Sequence, residues 1–423
     1  MSINHKFVKI LLTFLTILIC VSFSSIYADD IETASDAYNA NDETELNNTI
    51  ETSINETSLN INSRSCIVLD RLSNNILYGK NEKSKVKMAS TTKIMTATVI
   101  IENCNLNDTI EVSKKAAGTG GSRLGLKTGD KITIHDLLYG LMLCSGNDAA
   151  VALAESCAGS ISEFSNLMNN KAKDLGLTNT NFESPHGLDS DDHYTTAYEL
   201  ALLSNYALKN PTFAKIVGTK NYTITINGYP KNLSNTNELL GNLNGVYGIK
   251  TGFTNGANRC LVTACKRNDL DIICVVLGCD TKKFRTQDSI KLIEYAYKNY
   301  EMVDIYDIIN SKFNTWKNDN LSKFNINKGI TNNLDISLSK IENNKIPIKK
   351  ENIKDIDVNI NCTYNIDSPI YANTPIGNLN LSIKDTDIIN LDIIVNNTIR
   401  KKSSFDYFKY LINNLIPSME SIL

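Results

Sequence analysis

A serine–lysine pair at helical spacing is the first feature of this sequence that can do covalent chemistry. Ser90 and Lys93 lie in the segment MASTTKIMTA, residues 88–97. Positions i and i+3 of a helix share a face, so the Ser90 hydroxyl and the Lys93 amine can come within hydrogen-bond reach. Lys93 can act as a base if its pKa is lowered by burial, a helix N-terminus or another cation. Alone, such a pair is more often a solvated helix face.

A serine and an asparagine follow the apolar run that ends at residue 144. In Ser145-Gly146-Asn147 a short polar turn can present a hydroxyl that passes a proton to a leaving amine. The Asn147 carboxamide can hold an amide on the acyl side of a substrate. The alternative is an ordinary turn.

A third motif, Lys250-Thr251-Gly252, lies in the segment GIKTGFT, residues 248–254, which is predicted to be an edge strand. Lys250 offers a positive charge for a carboxylate and Thr251 a hydroxyl donor. Gly252 leaves room for a substrate to lie alongside as an extra strand. The backbone N–H groups of Ser90 and Phe253 can then form an oxyanion hole. The alternative is an edge strand with a solvated lysine.

The order of the three motifs is more specific than any one of them. Ser90, Ser145 and Lys250 follow one another at separations of 55 and 105 residues, which resembles the trio of penicillin-binding proteins and serine β-lactamases. Over about residues 64–300 the chain most closely resembles the low-molecular-mass D-alanyl-D-alanine carboxypeptidases. The matching segments are residues 89–97, 136–150, 185–189 and 248–254.

This resemblance implies an α+β fold, in which a penicillin-binding/serine β-lactamase-like catalytic domain of antiparallel sheet and helices precedes a small all-β C-terminal domain. Ser90 is then the acylated nucleophile and Lys93 its proton acceptor. The implied catalytic residues are Ser90, Lys93, Ser145 and Asn147, and the implied substrate-binding residues are Lys250, Thr251, Gly252 and Phe253. One departure is Thr91, where relatives more often carry an apolar residue.

Two segments imitate functional motifs. Lys127-Thr128-Gly129 repeats the third motif but precedes Ser145, so it is predicted to be a loop. Glu238 with Asn242 imitates the pair that activates the deacylating water in class A β-lactamases. It lies only 12 residues before Lys250, so β-lactamase activity is the less favoured interpretation.

Composition excludes several classes of function. A length of 423 residues predicts two or three domains at about 150 residues each. The formal net charge of -3 gives no basic surface for nucleic acid. His186 and His193 are too far apart to chelate, and there is no H-E-x-x-H or C-x-x-C motif, so neither a metal nor a cofactor is predicted.

Both ends of the chain indicate a place outside the cytoplasm. Residues 1–28 resemble a cleavable signal peptide, and residues 29–63 form an acidic spacer with nine acidic side chains and no basic one. The catalytic domain is predicted at 64–301 and the β-rich domain at 302–400. The tail, 401–423, has an apolar stripe predicted to end at Pro417. It can lie on a membrane or dock on its own domain; the resemblance favours the membrane.

Ten cysteines are unusual for an exported chain. Signal cleavage leaves nine, so at least one thiol is unpaired within a monomer. Cys260, Cys265, Cys274 and Cys279 are predicted to be small buried hydrophobes on a β-hairpin, with the members of each outer pair on opposite faces.

The preferred hypothesis is an exported serine D-Ala-D-Ala carboxypeptidase at the outer face of the cytoplasmic membrane or in the cell wall. Its partners would be peptidoglycan stem peptides, β-lactam antibiotics as covalent inhibitors, and a membrane surface. The alternative is a catalytically decayed peptidoglycan-binding scaffold; a serine β-lactamase or a DD-endopeptidase is less favoured. The complete set of motifs argues against decay.

Overall fold

The computed structural model describes residues 59–341, 343–384 and 386–420, with side chains of the last helix described up to residue 413. The predicted signal peptide and most of the predicted spacer lie outside these residues. The chain divides into two compact units, the first ending at Lys298 and the second beginning at Asn299.

The first unit mixes helices with strands. Its strands are β1 (Ser65–Asp70), β2 (Ile76–Lys80), β3 (Thr109–Glu111), β4 (Lys131–Thr133), β5 (Asn221–Ile226), β6 (Tyr229–Ser234), β7 (Val246–Thr254), β8 (Asn258–Arg267) and β9 (Leu270–Cys279). A 3-10 turn, Ala89–Thr92, precedes the first helix. The helices are α1 (Lys93–Asn103), α2 (Lys114–Ala117), α3 (Ile134–Leu143), α4 (Asn147–Ala158), α5 (Ile161–Asp174), α6 (Ala197–Ala207), α7 (Pro211–Val217) and α8 (Lys282–Asn299).

Five strands form one antiparallel sheet in the order β2-β1-β9-β8-β7. Strands β1 and β2 form a hairpin, and β7 is an edge strand as predicted. A two-residue turn joins β5 to β6, and a three-residue turn, residues 255–257, joins β7 to β8. Asn227 and Gly228 connect β5 to β6 with φ of 53° and 83°, as a type I′ turn requires.

The sheet is buried on both faces because its strands alternate between two sets of neighbours. Ile67, Val262 and Ile273 belong to the core shared with the helices of this unit. On the opposite face α8 covers the sheet, since Cys274 Sγ contacts the Ser289 carbonyl and Tyr297 Oη donates to the Cys265 carbonyl. The packing of helices on both faces of the sheet fixes the position of β7, which carries the third motif.

The four hairpin cysteines are buried, but one of the two face assignments is wrong. Cys260 packs in the helical core while Cys265 faces α8, so this pair lies on opposite faces as predicted. Cys274 and Cys279 both face α8, where Cys279 Sγ contacts Asp288. Gly278, with φ of 75°, interrupts the alternation between them. No disulfide joins the cysteines that the structure describes.

The chain joins the first unit before β1, within the segment predicted as spacer. Ser63 is fully buried and its backbone N–H donates to Asp288 at 2.6 Å, while the Ile61 carbonyl accepts from Lys80 at 2.7 Å. Residues 61–63 therefore pack with α8 and β2.

The second unit is built mainly from strands. They are β10 (Tyr300–Asp304), β11 (Asn325–Asn327), β12 (Ile336–Leu338), β13 (Lys345–Lys349), β14 (Ile356–Cys362), β15 (Asn365–Asp367), β16 (Pro375–Ile383) and β17 (Thr386–Val395). The largest sheet has the order β12-β17-β16-β14. Helix α9 (Ile305–Asn320) shares its core through Ile309 and Phe313. Short 3-10 turns occupy Leu321–Lys323 and Lys350–Asp355.

The tail is helix α10 (Ser404–Glu420). It continues through Pro417, because a proline removes one backbone hydrogen bond without always ending a helix. The predicted end of the apolar stripe at Pro417 lies beyond the side chains that the structure describes. Phe405, Phe408 and Leu411 are 72%, 58% and 57% exposed. Within the described residues, every helix is too short or too polar to cross a membrane.

Candidate active site

The first motif lies on a tight turn that presents Ser90 before α1. Ala89 has a φ of 48°, in the left-handed region that few residues other than glycine adopt. Thr91 Oγ1 donates to the Met88 carbonyl at 2.6 Å, and Thr92 Oγ1 donates to the Ala89 carbonyl at 2.8 Å. Thr91, which departs from the family pattern, therefore caps the turn that positions the serine.

Lys93 begins α1 and is fully buried beneath this turn. Its Nζ donates to Ser90 Oγ at 2.8 Å, to Asn147 Oδ1 at 2.7 Å and to the His186 carbonyl at 3.0 Å. The predicted hydroxyl–amine contact is therefore present, and the amine also joins the first two motifs.

The second motif precedes and begins α4. Ser145 is 2% exposed and has a φ of 59°, a second left-handed residue other than glycine at this site. Asn147 Nδ2 donates to the Gly120 carbonyl at 2.8 Å, and its backbone N–H donates to the Ser122 carbonyl at 2.7 Å. Asn147 is thus held between Lys93 and the glycine-rich segment.

The glycine-rich segment, residues 118–126, forms a wall of the site. The fully buried carboxylate of Asp148 accepts the backbone N–H groups of residues 124, 125 and 126 at 2.7, 2.7 and 2.9 Å. At Gly121 a Cβ would lie 2.6 Å from Asn147 Nδ2. The sequence motifs did not identify Asp148, because a carboxylate in the first turn of a helix is common.

The edge strand β7 lies directly against the turn that bears the nucleophile. A Cβ on Gly252 would be 3.1 Å from the Ser90 nitrogen and 3.2 Å from the Thr91 nitrogen. A side chain at this position would press on the backbone of the nucleophile turn, so glycine favours the close approach. The next residue, Phe253, is half-buried, and the guanidinium of Arg259 stacks 3.7 Å from its ring centroid.

Lys250 and Thr251 are both buried on the same strand. Lys250 Nζ donates to the Thr251 carbonyl at 3.0 Å. Burial raises the pKa of the Cys144 thiol to about 11, and the Lys250 charge acts on it in the opposite direction. Thr251 links this strand to the residue before Cys144, because Thr236 contacts Thr251 Oγ1 and donates its backbone N–H to the Leu143 carbonyl.

Thr236 is a polar residue of this region that no sequence pattern identified. Its Oγ1 lies 2.7 Å from Thr251 Oγ1, and its backbone N–H donates to the Leu143 carbonyl at 3.1 Å. The neighbouring Asn237 side chain donates to the Gly248 carbonyl at 3.0 Å. Two hydroxyls therefore stand together beside the predicted carboxylate subsite.

The segment Pro185-His186-Gly187-Leu188-Asp189 joins the nucleophile turn to the end of β7. Gly187 has a φ of 88°, and a Cβ on it would be 2.0 Å from the Ala89 carbonyl oxygen. Asp189 accepts from Thr254 Oγ1 at 2.8 Å and from the Gly256 N–H at 2.7 Å. This segment, which also matches the carboxypeptidase pattern, therefore holds the nucleophile turn close to the end of β7.

Two histidines in this region are held neutral. Burial, together with the Lys93 charge, lowers the pKa of His186 to about 3, and burial lowers that of His193 to about 4. His193 Nδ1 accepts the Glu183 N–H at 3.0 Å, which leaves the proton on Nε2, 2.8 Å from Thr92 Oγ1. In the described part of the chain, no group of three or more potential metal ligands is found.

Glu238 is engaged in an ion pair. Both of its carboxylate oxygens accept from the buried Arg285 guanidinium, at 2.7 and 2.8 Å, and Thr286 donates to the same group. The Asn242 side chain donates to the Glu238 backbone carbonyl, at 2.8 Å. A carboxylate neutralised in this way is poorly suited to activating a water, which supports treating this pair as an imitation of the β-lactamase motif.

Comparison with known proteins finds one family model in each unit. A family model described as D-alanyl-D-alanine carboxypeptidase matches residues 51–281, and one described as penicillin-binding protein 5, C-terminal domain, matches residues 315–401. The D-alanyl-D-alanine carboxypeptidase DacF of Bacillus subtilis is 34% identical over 353 residues, 82% of this chain and 88% of that protein.

Solved structures of penicillin-binding proteins are also similar to this chain. Penicillin binding protein 5 of Haemophilus influenzae is similar with a TM-score of 0.67 at 25% identity, over 82% of this chain and 100% of that one. The Streptomyces K15 DD-transpeptidase has a TM-score of 0.55 at 34% identity, over 57% of this chain and 99% of that one.

Proposed function

The chain belongs to the D-alanyl-D-alanine carboxypeptidase family of serine-type hydrolases, and we propose that it releases terminal D-alanine through an acyl-enzyme on Ser90. The observation that carries this proposal is the position of Lys93 Nζ, 2.8 Å from Ser90 Oγ and 2.7 Å from Asn147 Oδ1. A nucleophile, its base and a group that orients the base are therefore in mutual contact.

Acylation begins when Ser90 Oγ attacks the carbonyl carbon of the penultimate D-alanine and Lys93 accepts the hydroxyl proton. The backbone N–H groups of Ser90 and Phe253 stabilise the oxyanion of the tetrahedral intermediate. As the peptide bond breaks, Ser145 relays a proton to the departing amine. Water then hydrolyses the ester, and the proton returns to Ser90.

The substrate is a peptidoglycan stem pentapeptide that ends in D-Ala-D-Ala. Lys250 and Thr251 bind its terminal carboxylate, supported by their burial on an edge strand, and Gly252 lets the peptide backbone lie beside β7. Asn147 holds the amide on the acyl side. Penicillins carry a carboxylate and a strained amide in a similar arrangement, so they acylate the same serine.

The enzyme acts outside the cytoplasm, in maturation of the cell wall or the spore cortex. Its export is supported by the signal-like residues 1–28. Attachment to the outer face of the membrane is supported by α10, where exposed Phe405, Phe408 and Leu411 follow Lys401 and Lys402. If α10 is an anchor, a chain truncated after Lys402 leaves the membrane fraction; if it stays there, the tail is not the anchor.

A decayed scaffold on the same fold is the second candidate. It is disfavoured because a protein that only binds peptidoglycan has no need for a buried lysine held by three hydrogen bonds beside a serine. A β-lactamase is disfavoured because Glu238 is paired with Arg285. Endopeptidase activity on cross-linked stems would use the same acyl-enzyme and is the less favoured substrate choice.

A labelled-penicillin gel on the wild type and Ser90→Ala, beside a D-alanine release assay on a stem pentapeptide, tests the proposal. We expect covalent label and D-alanine release from the wild type alone. Ser156→Ala, a substitution in α4, is the matched control and should behave as the wild type. A wild-type chain that takes no label and releases no D-alanine would refute the enzyme hypothesis in favour of the scaffold.

A further inference from the structure

A series of three hydrogen bonds ends on the peptide group that precedes the nucleophile. The Glu183 N–H lies 3.0 Å from His193 Nδ1, and His193 Nε2 lies 2.8 Å from Thr92 Oγ1. Thr92 Oγ1 in turn lies 2.8 Å from the carbonyl oxygen of Ala89, the residue before Ser90. His193 is 2% exposed and Thr92 is fully buried. The two side chains are therefore shielded from bulk water.

Each bond of this series has a single possible direction. The Thr92 hydroxyl has one proton and donates it to the Ala89 carbonyl, because a carbonyl can only accept. Towards His193 this hydroxyl can therefore only accept, so the imidazole carries its proton on Nε2. The bare Nδ1 then accepts the Glu183 N–H. A neutral ring satisfies all three bonds, and burial, which lowers the pKa of His193 to about 4, keeps the ring neutral at pH 7.

The last bond acts on the Ser90 N–H through a rigid peptide group. The Ala89 carbonyl and the Ser90 N–H belong to the same planar unit, in which they point in opposite directions. A bond that holds the carbonyl therefore also holds the N–H. Ala89 has a φ of 48°, a conformation that persists only where its surroundings support it. A hydrogen bond to the carbonyl also polarises the N–H of the same peptide group.

We infer that His193 and Thr92 are positioning residues that orient and polarise the Ser90 N–H as an oxyanion donor. The inference rests on the proposed function, since an oxyanion forms only if Ser90 is acylated. Both side chains act through the Ala89 carbonyl rather than on the substrate. The oxyanion exists in the transition state and not in bound substrate, so loss of the series should slow acylation without weakening binding.

Two substitutions separate the two nitrogens of the His193 ring. His193→Asn can place an oxygen near the position of Nδ1 and still accept the Glu183 N–H, but it is too short to reach Thr92. His193→Gln can place its amide nitrogen near the position of Nε2 and donate to Thr92. At saturating labelled penicillin, we expect the acylation rate constant to fall by roughly 10- to 100-fold in His193→Asn and to recover substantially in His193→Gln. His135→Asn, on a half-buried histidine of α3, is the matched control and should acylate as the wild type does.

The same experiment separates positioning from folding. Unfolded chains reduce the amount of label bound at completion, whereas a misdirected N–H reduces the rate at which folded chains react. For His193→Asn we expect complete labelling at the lower rate and a dissociation constant for penicillin that is close to that of the wild type. A wild-type rate in His193→Asn, or a loss confined to the final amount of label, would overturn the inference.

A double variant tests whether His193 acts through Thr92. Thr92→Val keeps the shape of the side chain and removes the hydroxyl that joins the ring to the Ala89 carbonyl. Once this hydroxyl is absent, the ring has no route to the peptide group, so Thr92→Val combined with His193→Asn should acylate no more slowly than Thr92→Val alone. Effects that multiply in the double variant would show that His193 reaches the site by another route, contrary to the inference.

The tautomer of His193 gives a readout that needs no acylation. Nuclear magnetic resonance of the full chain, with nitrogen-15 in its four histidines, distinguishes protonated from bare ring nitrogens. The signals that disappear in His193→Gln belong to His193, and at pH 7 we expect a proton on Nε2 and none on Nδ1. A wild type that takes no penicillin would refute the proposed function, whereas a labelled wild type with the opposite tautomer would refute only this inference.

Discussion

Lys93 Nζ donates to Asn147 Oδ1 at 2.7 Å, so the first residue of α1 contacts the first residue of α4 across 54 residues of sequence. The same ammonium donates to Ser90 Oγ. Two motifs that are individually weak are thereby joined by one side chain, and the third motif reaches them through the approach of Gly252 to the Ser90 nitrogen.

Removal of the Lys93 amine should slow acylation strongly while the fold persists. Lys93→Met keeps the length of the side chain but cannot accept the Ser90 proton, and we expect the second-order rate of penicillin acylation to fall by roughly 10²–10⁴-fold. Stopped-flow or gel measurement of labelled penicillin gives the rate. Lys87→Met, on a lysine 35% exposed just before the turn, should leave it unchanged. A Lys93→Met protein that acylates at the wild-type rate would mean that another group takes the proton.

Thr236 should contribute to binding of the substrate carboxylate through Thr251. Thr236→Val keeps the shape and removes the hydroxyl 2.7 Å from Thr251 Oγ1, so we expect KM for D-alanine release to rise about 5- to 10-fold, corresponding to one hydrogen bond. The effect on kcat should be small. Thr223→Val, on an exposed strand position, is the control. If Thr236→Val and Thr251→Val act additively in the double variant, the two hydroxyls do not cooperate.

Gly187 should be far less tolerant of substitution than another glycine with similar backbone. In Gly187→Ala the new Cβ would be 2.0 Å from the Ala89 carbonyl oxygen, and we expect a loss of more than about 3 kcal/mol in the free energy of unfolding, with slower acylation. Gly176→Ala has a positive φ as well but no atom within 4 Å, so it should cost only about 1 kcal/mol. Urea unfolding measures both; equal losses would assign the effect to backbone conformation alone.

Stability should decline as the pH falls below about 6.5. The pKa of His193 is lowered to about 4 in the folded chain, so between the two pKa values the unfolded state binds more protons. The contribution is complete above the unfolded pKa and is lost progressively towards pH 4, by on the order of 3 kcal/mol. His186, with a pKa of about 3, acts in the same direction.

Urea unfolding of the wild type at several pH values between 7 and 4 measures this decline. His193→Asn retains an acceptor for the Glu183 N–H but cannot be protonated, so its stability should depend less steeply on pH. The same slope in both proteins would show that His193 does not cause the acid sensitivity.

The sequence by itself determined the motifs, the family and the edge strand that carries the third motif. Ser90 with Lys93, the edge strand that carries Lys250, and the buried hairpin cysteines are local patterns, because helix and strand periodicity decide which neighbours share a face. Local chemistry of this kind is visible in a short window of residues.

Only the tertiary structure decided how these segments meet. The binding of the glycine-rich wall by Asp148 and the position of Thr236 beside Thr251 have no sequence signature, since each joins positions brought together by packing rather than by spacing. The Gly278 irregularity changed the face of Cys279 for the same reason: an interruption of strand alternation depends on how neighbouring strands pair. Sequence spacing specifies faces within an element, and packing specifies which faces touch.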